Sequence, residues 1–169
     1  LDEFLNEYPV HQQGLYFRAA MARGNGNFEK AKEYFDDLLL IYPNNSGAHL
    51  DYGSMLANDC KDVDGAQNQY EKALAIDADD AMTLRFYAYF LATKRDDSEN
   101  AMHYFRKSLE IDPNDDDANH HLAFLLAKIP GNEQEAKKYF ERALTINPNK
   151  YQFHQSYAHL LANDFYNDK

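Results

Sequence analysis

The sequence predicts an all-α chain built from antiparallel helix pairs stacked side by side. Three observations carry that prediction. Four segments align without gaps at an offset of 35 residues: "AKEYFDDLLLIYPNN" from Ala31, "AQNQYEKALAIDADD" from Ala66, "AMHYFRKSLEIDPND" from Ala101 and "AKKYFERALTINPNK" from Ala136. Each carries apolar residues at i, i+4 and i+8, one face of a helix. Each runs into a proline or a polar cluster, which stops a helix.

The ladders give one helix per repeat, helix B. Their rungs are Ala31, Phe35 and Leu39; Ala66, Tyr70 and Leu74; Ala101, Phe105 and Leu109; Ala136, Phe140 and Leu144. Ile41, Ile76, Ile111 and Ile146 then precede Pro43, Ala78, Pro113 and Pro148. Ala78 breaks the proline rule, and the stop there falls to Asp77, Asp79 and Asp80. Between the B helices and after the last of them lies a second kind, helix A, read from "GAHLDYGSMLA", "AMTLRFYAYFLA", "DANHHLAFLLA" and "YQFHQSYAHLLA". These share a small residue at Gly53, Ala88, Ala123 and Ala158, which lets the partner helix approach closely. They also share Leu56, Leu91, Leu126 and Leu161. Asn27, Asp62, Asp97 and Asn132 lie at the A–B junctions as N-caps for helix B.

This order of small residue, tyrosine or leucine, alanine, aromatic, alanine and proline resembles the tetratricopeptide repeat (TPR). The resemblance covers nearly the whole chain. It implies a right-handed superhelical solenoid of about ten helices. The common period of the family is about 34 residues, and one extra residue sits here in the A–B turns "NDCKDVD" and "TKRDDSE". The first repeat lacks it. Ala78, Leu38 and Ser108 depart from the family pattern. The reading is a single array, with full repeats at 11–45, 46–80, 81–115 and 116–150. Residues 1–10, "LDEFLNEYPV", read as the tail of a preceding B helix, and 151–169 as a final A helix without its B helix. Leu1, Phe4, Leu5, Phe153, Leu160 and Phe165 are therefore candidate self-association residues on incompletely covered ends.

The bulk properties narrow the work such a chain does. Its 169 residues are 44% hydrophobic and 14% aromatic, enough to bury a core. A formal charge of -11 argues against nucleic acid and anionic membrane surfaces as partners. No apolar run reaches the roughly 18 residues of a membrane span. The lone Cys60 excludes an internal disulfide and fits a reducing compartment, so an intracellular, cytoplasmic location is expected. The chain opens on Leu1 rather than Met, which leaves open whether it is a fragment of a longer protein.

By the resemblance, A helices line the concave groove. The groove-facing positions then place Tyr16, Phe17, Arg85, Phe86, Tyr89, His120, His121, Phe124, Lys128, Gln155 and His159 as candidate partner-binding residues. Arg85, Lys128 and Arg23 are expected to make the groove less acidic than the chain average. Three readings compete for His120, His121 and His159: solvated or stacked groove surface, donors to a partner's carbonyls, and metal ligands. Adjacent helical residues diverge by about 100°, so His120 and His121 chelate poorly together. Asp115–Asp117 lack the glycine and glutamate of a calcium loop and suit a helix start, where carboxylates meet the positive dipole end. No nucleophile motif or phosphate loop is present. The lysines and asparagines of the carboxylate clamp, with which some TPR proteins bind acidic C-termini, are absent. The chain is therefore expected to be a non-enzymatic scaffold, without cofactor or metal, binding a peptide or helix of another protein. End-to-end self-assembly is the alternative, and a metal-dependent site at the groove histidines a further one.

Overall fold

The computed structural model describes residues 11–167, with side chains through residue 162. Two compact units divide the chain, one ending at Ala78 and one beginning at Asp79. Unit 1 holds α1 (Gln12–Gly24), α2 (Phe28–Ile41), α3 (Ser46–Met55) and α4 (Val63–Ile76). Unit 2 holds α5 (Ala81–Phe90), α6 (Ser98–Ile111), α7 (Asp116–Leu126), α8 (Glu133–Ile146) and α9 (Tyr151–Asn167). Odd-numbered helices are the A helices and even-numbered ones the B helices. Among the described residues no strand occurs. The fold is all-α and of the TPR solenoid type.

The core follows the repeat, with one shift of register. The first two rungs of every ladder are buried: Ala31, Ala66, Ala101 and Ala136 at 0% exposure, and Phe35, Tyr70, Phe105 and Phe140 at 2% or less. The third buried rung is Leu38, Ala73, Ser108 and Ala143, each at 0%, and only Leu109 of the expected leucines joins it. Helix geometry explains the shift. A residue seven positions on lies about 20° from the first rung, whereas one eight positions on has turned about 80° past it. Ser108 is tolerated there because its Oγ donates to the Ala81 carbonyl at 2.8 Å. Opposite the ladder, a Cβ at Gly53 would stand 3.2 Å from the Ala66 carbonyl oxygen, so α3 and α4 approach as closely as a glycine permits.

The extra residue of the middle repeats is absorbed as a π-helical turn. Such turns cover Leu56–Cys60 and Leu91–Arg95. Each ends on a left-handed residue, Lys61 at φ 57° and Asp96 at φ 54°. In the shorter first repeat a glycine, Gly26 at φ 74°, serves instead, and in the fourth Gly131 at φ 91°. Only glycine takes this conformation freely, so the π-turns hold their left-handed residues at some local cost.

The expected B-helix caps form in three repeats: Asn27, Asp62 and Asp97 accept from the amides of Lys30, Gly65 and Asn100. Asn132 does not cap. At φ -103° and ψ 11° it makes no side-chain cap bond, and Glu133 instead accepts from the Gly131 amide at 3.0 Å. A helices are capped too, by Asn45, Asp80 and Asp115.

A device not visible in the sequence pattern ties the turns at Pro43, Pro113 and Pro148 to the A helix after each. His49 Nε2 lies 3.0 Å from the Pro43 carbonyl oxygen, and His154 Nε2 lies 2.7 Å from that of Pro148. Asn119 Nδ2 donates to the Pro113 carbonyl at 3.1 Å. The equivalent position after Ala78 is Leu84. So a polar residue stands at this A-helix position after Pro43, Pro113 and Pro148, whereas Leu15 stands there after Pro9. Two of the seven histidines are thereby structural.

Candidate partner-binding sites on the A helices

In unit 1 the site is built between α1 and α3. The Tyr16 hydroxyl donates to the Asp51 carboxylate. About two turns further on, Arg23 Nε meets Asp59 Oδ2 at 2.7 Å. These four residues, with Phe35 and Phe28, bound a cavity of about 520 Å³. Phe17 is 37% exposed on α1, outside that lining. Burial pushes the Asp51 carboxyl above its ordinary value.

In unit 2 the centre is the pair His120 and His121 on α7. His120 is 9% exposed. Its ring stacks on Phe153 at 4.5 Å, meets Phe140 edge-on at 5.8 Å, and its Nε2 lies 3.0 Å from Ser156 Oγ. His121 stacks on Phe105 at 5.8 Å and tilts against Tyr89 at 4.9 Å. Burial pulls His121 down to about 4, with the neighbouring His120 adding to the shift. Burial likewise lowers His120. Both rings are therefore neutral at pH 7 and serve as aromatic wall. Tyr89, Phe105, His121, Phe124, Lys128 and Ser156 line most of a cavity of about 300 Å³. A neighbouring cavity of about 370 Å³ takes Phe124, Lys128, Phe140, Ser156, His159 and Leu160. Tyr89 and Phe124 are 41% and 42% exposed at the rim. Phe105 was not legible as a lining residue, because a ladder position reads as core from sequence.

Arg85 does not offset the groove's acidity as expected. Its Nε sits 2.6 Å from Asp115 Oδ2, and its Nη1 lies 3.9 Å from Asp117. The Nε contact is an ion pair without an aligned hydrogen bond, since that nitrogen is buried with no bonded acceptor. The guanidinium also covers Phe86 at 4.6 Å. Lys150 takes the remaining acids, meeting Asp117 at 2.5 Å and Asp116 at 3.4 Å, while Asn147 donates to Asp116 at 2.9 Å. The run Asp115–Asp117 thus starts α7 and ties it to the α8–α9 turn. The Lys128 ammonium lies 4.5 Å over the Phe124 ring and is exposed. Gln155 and His159 are exposed on α9.

Phe153 and Leu160 require correction as end-face residues. They are 1% and 4% exposed. They share register with Ala118 and Leu125, which face the preceding repeat, so α7 and α8 already cover them. The outer face of α9 instead carries Ala158 and Leu161, in register with Ala123 and Leu126, which are 0% exposed in α7. Leu161 is 43% exposed. Leu1, Phe4, Leu5 and the Phe165 side chain lie outside the described residues.

Among the described residues, no group of three or more His, Cys, Asp or Glu is arranged to hold a metal ion. No described helix is long and apolar enough to cross a membrane. Burial raises the Cys60 thiol above its ordinary value, which lowers its thiolate fraction.

The comparisons agree with this architecture. No curated protein matches the sequence. Among solved structures, MamA superposes with a TM-score of 0.79 at 18% identity, over 93% of this chain and 84% of that one. PilF of Pseudomonas aeruginosa gives 0.80 at 24%, over 90% and 68%. YrrB, described as a TPR protein with an unusual peptide-binding site, gives 0.76 at 18%, over 96% and 82%. These identities establish the fold alone. Family models for the tetratricopeptide repeat match residues 15–45, 91–115 and 117–150. With its helix pairs, its buried small-residue ladders and these matches, the chain belongs to the tetratricopeptide repeat family.

Proposed function

We propose that the protein is a non-enzymatic interaction scaffold whose unit 2 A helices take an apolar anchor of a partner peptide. The observation that carries this is the aromatic cavity on α5, α7 and α9, with Tyr89 and Phe124 both part-exposed at its rim. Soluble proteins hold clustered apolar surface open mainly where something docks. Neutral histidines in the wall favour an apolar side chain over a carboxylate. Lys128 at the rim suits an acidic or C-terminal group beside that anchor. YrrB, a TPR protein with a peptide-binding site, lends fold-level analogy.

A random peptide library displayed on phage tests the reading. Peptides selected on the wild-type protein should carry an aromatic or branched apolar residue. Phe124→Ala should weaken them at least tenfold, on the scale of a hot-spot truncation of about 2 kcal/mol. The fold should stay intact, since that ring is 42% exposed. Selected peptides that bind Phe124→Ala as tightly as wild type would remove this cavity as the site.

Self-association through the outer face of α9 is a second reading, favoured by the exposed Leu161 and Ala158. A B-type helix fits that register, and "LDEFLNEYP" at residues 1–9 matches the B-helix segment "FDDLLLIYP". Sedimentation velocity across a concentration series should then show association that Leu161→Glu abolishes. A monomer at every concentration, or an assembly indifferent to that change, argues against it.

A further inference from the structure

We infer that the unit 1 cavity between α1 and α3 is a binding site for a cationic side chain, arginine or lysine, of a partner. It is a separate site from the aromatic cavity of unit 2 and does not depend on it.

Three observations point there. First, the cavity holds two carboxylates but one cation. Arg23 is committed to Asp59 at 2.7 Å, which leaves Asp51 with only the neutral Tyr16 hydroxyl as partner among the described contacts. Second, Asp51 is partly withdrawn from water, and its carboxyl is shifted upward by burial alone. An opposite charge within reach would have pulled it the other way. Third, the cavity of about 520 Å³ beside Asp51 is bounded by the half-buried Tyr16 and Phe28, whose rings suit the flat face of a guanidinium or the stem of a lysine.

The physical logic is one of completion. A desolvated carboxylate without a cation is held at a cost, and a visiting cation recovers it. The Tyr16 hydroxyl holds one carboxylate oxygen and leaves the other for a charge-assisted bond. The chain's net charge of -11 draws a basic partner toward the site. The polarity is opposite to that of a site built to grip carboxylates.

The test uses the whole chain with N-acetyl-arginine methylamide, N-acetyl-lysine methylamide and, as the neutral isostere, N-acetyl-citrulline methylamide. The carboxyl carbon resonances of Asp51 and Asp59 are followed by NMR. Saturable binding in roughly the millimolar range is expected for at least one cationic compound, as suits a single side chain. It should shift Asp51 more than Asp59 and weaken with added salt. Asp51→Asn should reduce affinity at least tenfold, and citrulline should not saturate. The wild-type shifts locate the cation even if Asp51→Asn fails to fold. Citrulline binding as well as arginine, undiminished binding by a folded Asp51→Asn, or the absence of any saturable shift at Asp51 overturns the assignment. The phage selection reads unit 2 through Phe124, so either result stands without the other.

Discussion

Phe105→Ala is expected to destabilise the protein by about 3–5 kcal/mol, the range for emptying a closed aromatic site in a core. Phe105 is 0% exposed on α6. Its ring is a ladder rung on one side and stacks on His121 at 5.8 Å on the other. Truncation leaves a void that α5 and α7 cannot fill without moving, because their backbones are held by capped starts at Asp80 and Asp115. The same ring lines the aromatic cavity, so peptide binding should fall along with stability. Phe124→Ala is the contrast: a rim residue whose loss should cost binding and little stability. Urea unfolding of both variants measures this, through the midpoint and its slope. A Phe105→Ala loss below about 1 kcal/mol would mean that the ring is not part of the core.

Acid should destabilise the protein through His121 well before its carboxylates are protonated. The folded value is about 4, below the ordinary 6.5 of an exposed histidine. The unfolded chain therefore takes up a proton at higher pH than the folded one. This contribution to stability is complete above about pH 6.5 and is lost as pH falls toward 4. At 1.36 kcal/mol per pH unit, the loss approaches roughly 3 kcal/mol, an upper figure because the ring is only partly enclosed. His120 is lowered in the same direction, by burial and by Lys150 against the pull of Asp117 and Asp116. Asp116 is lowered from 3.8, mainly by Asn147 and Lys150 acting against its own burial, so its contribution is lost at lower pH still. His121→Phe keeps a ring against Tyr89 and Phe105 and removes the titration. Unfolding measured from pH 7 to pH 4 should show wild type losing about 2–3 kcal/mol more than His121→Phe. Parallel pH profiles for the two proteins would contradict the assignment of this loss to His121.

Much of the molecule was legible because its organising forces are local and repeated. Helix starts at Asn27, Asp62, Asp97 and Asp115, stops at the proline turns, and the close approach at Gly53 are decided by neighbours a turn or two away. A motif written four times also averages out exceptions such as Ala78. The family register also named Tyr89, His120, His121 and Phe124, which the structure brings together around one cavity. The candidate sites were less legible, because a side chain's partner lies on another helix. Tyr16 was visible as a candidate groove position, but not its bond to Asp51, nor the contact of Ser156 with His120.

By itself, then, the sequence determined the repeat, the order and ends of the helices, and the faces they bury, since these depend on helical periodicity and on short-range caps. Only the tertiary structure decided the rest. It made Leu38 and Ala73 the third rung, placed Lys61 and Asp96 in left-handed backbone, and turned His49 and His154 into turn clamps. It neutralised Arg85 against Asp115 and buried Phe153 and Leu160 while leaving Leu161 open. Each of these outcomes depends on what a second helix presents at a few ångströms, where ion pairing, desolvation and packing act, and no spacing along one chain encodes it.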